Sequence, residues 1–73
     1  MPNGYSKGTM VEWDWGSGTG QGKIAHVYTA KQTLTIKGSD VTRDADADCP
    51  AYKIEQDDGD VVLKSHSEVR KAS

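Results

Sequence analysis

Between Met10 and Tyr28, two tryptophans one residue apart run into a stretch in which every second residue is glycine, and no other feature narrows the fold so much. Val11, Trp13 and Trp15 alternate with Glu12 and Asp14, the period-2 pattern of a strand with one apolar and one wet face. Gly16-Ser17-Gly18-Thr19-Gly20 follows, backbone that tolerates positive φ at every second position and lets the chain reverse. Gly22 then lets a second strand, Lys23 to Tyr28, start close against the first. No helical spacing of apolar residues runs through this region, so it predicts a hairpin that forms the first half of a small all-β barrel.

Thr29-Ala30-Lys31 reads as a loop, and Gln32 to Lys37 alternates again, with Leu34 and Ile36 on one face and Thr33, Thr35 and Lys37 on the other. Gly38-Ser39-Asp40 reads as a turn and Val41-Thr42-Arg43 as a short edge strand. Asp44 to Pro50 is a polar, acidic loop whose proline biases Cys49 toward an extended conformation. Ala51 to Gln56 predicts a strand with Tyr52 and Ile54 on one face. Asp57-Asp58-Gly59-Asp60 predicts a tight turn, since Asp-Gly between strand-like runs is a hairpin signal, and Val61 to Lys64 completes that hairpin. Ser65 and Glu68 have capping-box spacing and predict one helical turn before the polar end Arg70 to Ser73. Residues 1–6, with only Tyr5 to bury, predict a flexible N-terminal arm, and residues 7–72 a single domain of about five strands.

A chain of 73 residues buries only roughly 60% of the surface it would expose unfolded, so its core is thin. The single cysteine, Cys49, rules out an internal disulfide and fits a reducing compartment. With no covalent staple, association is one route to extra stability, and a monomer or homodimer is expected. No apolar run approaches the roughly 18 residues that span a bilayer, and Met1-Pro2-Asn3-Gly4 lacks the basic start and apolar stretch of a secretory signal. The expectation is a cytoplasmic protein without membrane contact. The formal charge of −2 argues against broad, salt-driven nucleic-acid binding and leaves only a local basic face for that role.

The reactive residue types fall in patterns that do not build reactive sites. Asp44, Asp46 and Asp48 stand at positions one, three and five of a calcium-loop spacing with Glu55 at twelve, but position six, which needs glycine, is Cys49, and Pro50 follows. Ordinary solvated surface is expected there. Gly22-Lys23 is followed by Ile24 rather than Ser or Thr, and no helix follows to receive a phosphate. His26, Cys49 and His66 lack the paired short spacing of zinc ligands, so no metal or cofactor is expected. Ser65-His66-Ser67 near Asp57, Asp58 and Asp60, and a Cys–His pair, supply residue types without a cleft, so no catalytic residue is expected. The aromatic set of Trp13, Trp15, Tyr28 and Tyr52 is the best functional candidate. Trp13 is expected in the core and Trp15, the last residue before the glycine turn, partly exposed where the barrel opens.

Trp13-Asp14-Trp15-Gly16-Ser17-Gly18, Thr35-Ile36-Lys37-Gly38, Pro50-Ala51-Tyr52, Gln56-Asp57-Asp58-Gly59-Asp60 and Leu63-Lys64-Ser65-His66-Ser67-Glu68, in that order, resemble the hypervirulence-associated Tudor-type domain family. The resemblance covers roughly residues 7–72; Cys49 departs from the polar or acidic residue usual before the proline. It implies an SH3-like, Tudor-type barrel and no catalytic residues. Barrels of this type often gather aromatic side chains at one open end as a cage for methylated lysine or arginine. The function expected is therefore a non-enzymatic interaction module for a protein, a peptide or nucleic acid, with Trp15, Tyr52, Lys64 and His66 facing the ligand. Two alternatives stand beside it. One is a purely structural domain. The other is an oligomeric SH3-barrel enzyme similar to the plasmid-borne type II dihydrofolate reductases, whose Val-Gln-Ile-Tyr pore segment would fall on Val61-Val62-Leu63-Lys64, without the Gln and the Tyr.

Overall fold

In the computed structural model, which describes residues 4–72, the two tryptophans lie on an antiparallel hairpin of β1 (Met10–Trp15) and β2 (Gly18–Tyr28). Its register sets Trp13 opposite Gly20 and Trp15 opposite Gly18. The reversal is tighter than the sequence predicts: it takes only Gly16 and Ser17, with Gly16 at φ 49°, and Gly18, Gly20 and Gly22 belong to β2. Contact explains two of those three. A Cβ at Gly20 would lie 2.6 Å from the Trp13 indole, and one at Gly22 would lie 2.6 Å from the Glu55 carbonyl oxygen and from Ile54 Cγ2. These glycines admit a ring and a neighbouring strand rather than a turn.

Strands β3 (Gln32–Ile36) and β4 (Ser39–Arg43) form a second hairpin, in a sheet of their own. Its turn is Lys37-Gly38, both at positive φ (53° and 79°), as in the primed turns that suit the twist of paired strands. Ser39 and Asp40, expected in the turn, are therefore strand residues. Strands β5 (Ala51–Glu55) and β6 (Val61–Ser65) flank the turn that carries Asp58-Gly59, and the 3₁₀ turn His66–Glu68 follows. The Glu68 carboxylate accepts the Ser65 N–H at 2.8 Å, one half of the expected capping box. The polar end holds a strand that sequence reading misses: β7 (Arg70–Lys71) pairs with β1, setting Arg70 opposite Glu12 and Lys71 opposite Val11.

The larger sheet has the order β6-β5-β2-β1-β7. Laid flat, five strands would hold their outer members about 19 Å apart. Here those members are joined through a three-residue 3₁₀ turn, which rises only about 6 Å. The sheet therefore curls until its edges approach, helped by a bulge in β2 between Ile24 and His26. The result is a small barrel. Inside it Val11, Trp13, Ile24, Tyr52 and Ile54 form the buried cluster, with Tyr5, Val27, Val62 and Val69 packed against it. Met1 to Asn3 of the expected arm lie outside the described residues, and Tyr5, its one candidate for burial, packs on the core.

Candidate functional site

Trp15 is the large hydrophobic residue that the described residues leave exposed, at 60%, whereas Trp13, two positions earlier on the same strand face, is 3% exposed. The difference comes from position. Trp13 points into the barrel and covers Gly20, while Trp15 stands at the end of β1, beyond the cover of the other strands. Its indole still has a fixed seat: a Cβ on Gly18 would meet Trp15 ring carbons at 3.6 and 3.7 Å, ordinary contact distance, so the ring lies over that glycine. The other face of β1 carries Glu12 and Asp14, both bonded to Arg70 at 3.1 Å.

Tyr52, expected to face a ligand, is instead a core residue with no exposed surface. The Tyr5 N–H donates to its hydroxyl oxygen at 2.9 Å, and that oxygen stands 2.8 Å from His66 Nδ1. The Tyr5 ring lies 5.1 Å from His66 and 6.1 Å from Tyr52, centre to centre. The hydroxyl oxygen thus accepts from the Tyr5 N–H and shares a second hydrogen bond with Nδ1, in which either atom can be the donor. Burial pushes the Tyr52 pKa up, partly offset by the Tyr5 N–H. The phenol is thus held protonated, as a structural link between the N-terminal segment, β5 and the 3₁₀ turn. His66 is half-buried in this link, its own N–H donating to the Pro50 carbonyl at 2.8 Å.

Lys64, opposite Tyr52 in the β5–β6 ladder, lines a groove between the β3–β4 hairpin and β6. The hairpin is tied at both ends: Lys37 Nζ to Asp60 at 2.9 Å, and Arg43 Nε to Glu68 at 2.8 Å. Between the ties Ile36, Val41, Val61 and Leu63 line a cavity of about 210 Å³, with Arg43 and Lys64 as its charged residues. Burial alone would raise the Glu68 pKa, but the bonds from Arg43 and the Ser65 N–H, with the charges of Arg43 and Lys64, outweigh it and hold the carboxyl below its usual range.

Of the four expected site residues, Tyr52, His66 and Lys64 adjoin one another, Tyr52 bonded to His66 and paired with Lys64 across β5 and β6, but Tyr52 is in the core, Lys64 lines the groove, and Trp15 stands at a hairpin tip. Sequence reasoning misses Tyr5, Arg43 and Glu68 as partners in these places, and only the capping spacing of Glu68 signals any of them. In the acidic loop, Asp46 Oδ1 accepts the N–H groups of Asp48 and Cys49 at 2.9 and 2.7 Å, closing a local turn of the chain on itself. His26, which stacks on Tyr28 with ring centres 4.4 Å apart, gathers with no pair of other metal-binding side chains among the described residues.

A five-stranded sheet curled shut through a 3₁₀ turn, with an aromatic residue exposed at one end, defines the class of small SH3-like, Tudor-type barrels. The sequence matches the family model described as the TUDOR domain of hypervirulence associated proteins over residues 8–69, most of its length, and the chain belongs to that family. No curated protein and no solved structure matches it.

Proposed function

We propose that this domain is a non-enzymatic interaction module that takes a protein or peptide partner through Trp15. One observation carries the reading: an indole 60% exposed yet seated over Gly18 on a two-stranded hairpin. A large ring already held in place offers apolar contact area at little ordering cost, which is why tryptophan is enriched among the residues that dominate interfaces. Carboxylates of Glu12 and Asp14 occupy the same strand and engage Arg70, so the surroundings of Trp15 favour a protein over the phosphate backbone of a nucleic acid. Lys64 and His66 act away from Trp15, Lys64 on its own groove and His66 as a support for Tyr52. The module works as a monomer or homodimer. Its free thiol, Cys49, suits the reducing cytoplasm, and no helix among the described residues is long and apolar enough to cross a membrane. The reductase alternative gains no support, because the Gln and Tyr of its pore segment would fall on Val62 and Lys64.

The test uses a partner recovered by co-purification and mapped on the isotope-labelled domain by chemical shifts. Trp15→Ala leaves the spectrum of a folded barrel and abolishes binding. Wild-type affinity in that variant would overturn the reading.

A further inference from the structure

We propose that the groove between β4 and β6 is a second binding surface, which takes an extended peptide carrying a large apolar side chain beside a carboxylate. The seam exists because no ladder joins the two strands: β6 is the outer strand of the five-stranded sheet and β4 pairs with β3. The hairpin nonetheless runs along β6, fixed at its ends by the Lys37–Asp60 and Arg43–Glu68 bridges. Between those ties an apolar cavity of about 210 Å³ has room for one large side chain, walled by Ile36, Val41, Val61 and Leu63. Such clefts bind through apolar walls and are oriented by a few polar groups at the rim.

Charge selects the occupant. The charged residues on the lining are Arg43 and Lys64, both cations. Glu68 is already engaged by Arg43 Nε and the Ser65 N–H. Lys64 Nζ pairs with Glu68 Oε2 at 4.0 Å, outside hydrogen-bond reach, and among the described residues its three donors make no hydrogen bond, which leaves them to a carboxylate from a partner. A basic peptide would meet like charge at the same place. The surface lies on other elements than Trp15, so it stands or falls apart from the function proposed above.

The experiment titrates the isotope-labelled domain with the capped pentapeptide Glu-Glu-Leu-Glu-Glu and, in parallel, with Lys-Lys-Leu-Lys-Lys. The acidic peptide gives saturable shifts confined to Ile36, Val41 to Arg43 and Val61 to Lys64, and Trp15→Ala leaves them unchanged. Lys64→Gln, which removes the charge without adding repulsion, weakens binding about tenfold, the scale of one charge-assisted hydrogen bond. Equal binding of the basic peptide, shifts centred on Trp15 to Gly18, or no saturation at millimolar peptide would each overturn the proposal.

Discussion

Gly18, Gly20 and Gly22 look interchangeable in the sequence, yet the neighbours of each differ. A methyl at Gly18 meets only the Trp15 ring at 3.6 Å, at Gly20 it would collide with the Trp13 indole, and at Gly22 with the backbone of Glu55. Gly18→Ala is accordingly expected to be neutral or to stabilise by about 0.4–1 kcal/mol, through the entropy it removes from the unfolded chain. Gly22→Ala is expected to cost about 1–3 kcal/mol, because a paired strand has nowhere to move. Urea denaturation of the two variants checks the contrast, and equal stability would place β5 wrongly against β2. At this scale the divergent settings of Trp13 and Trp15 were legible, since alternation puts both on one face and the glycine turn puts one at its end. The burial of Tyr52 was not. Alternation puts it on one face with Ile54, but nothing local tells that Tyr5, 47 positions away, donates to its hydroxyl.

Strands β1, β2, β3, β5 and β6, and residues 41–43 of β4, were legible because period-2 alternation and Asp-Gly or glycine turns mark them without help from the rest of the chain. Strand β7 carries no such mark. Arg70 and Lys71 are both exposed and form a strand only because β1 offers them a free edge. The 3₁₀ turn before it is held through Glu68, which ties it to two strands: it accepts from Arg43 on β4 and from the Ser65 N–H at the end of β6, and lies near Lys64 on β6. Its folded pKa is depressed, so the unfolded chain binds the proton more tightly. The stability this carboxylate contributes is full above its unfolded pKa of about 4.3 and is lost as pH falls through the folded value. The pairs are part-exposed, so solvent screening limits the contribution to about 1 kcal/mol or less. Glu68→Gln should therefore be less stable than wild type near neutrality and converge with it on acidification. Unfolding measured across that range decides; a gap that widens as pH falls would contradict the role given to Glu68.

For the whole molecule, the core is a cluster of five buried side chains with Tyr5, Val27, Val62 and Val69 packed against it, and a disulfide contributes nothing to it. The candidate site was less legible than the fold because a surface depends on where the barrel stops covering its own residues, which closure decides and no single strand records. Closure hides Tyr52, sets the β3–β4 hairpin beside β6, and leaves Trp15 at the rim. The central claim, that one tryptophan fills the barrel and the other is offered to a partner, is tested most directly by iodide quenching of Trp13→Phe and Trp15→Phe, each of which retains one indole. Strong quenching of the Trp15 indole with protection of Trp13 is the result predicted; equal protection of the two would contradict it.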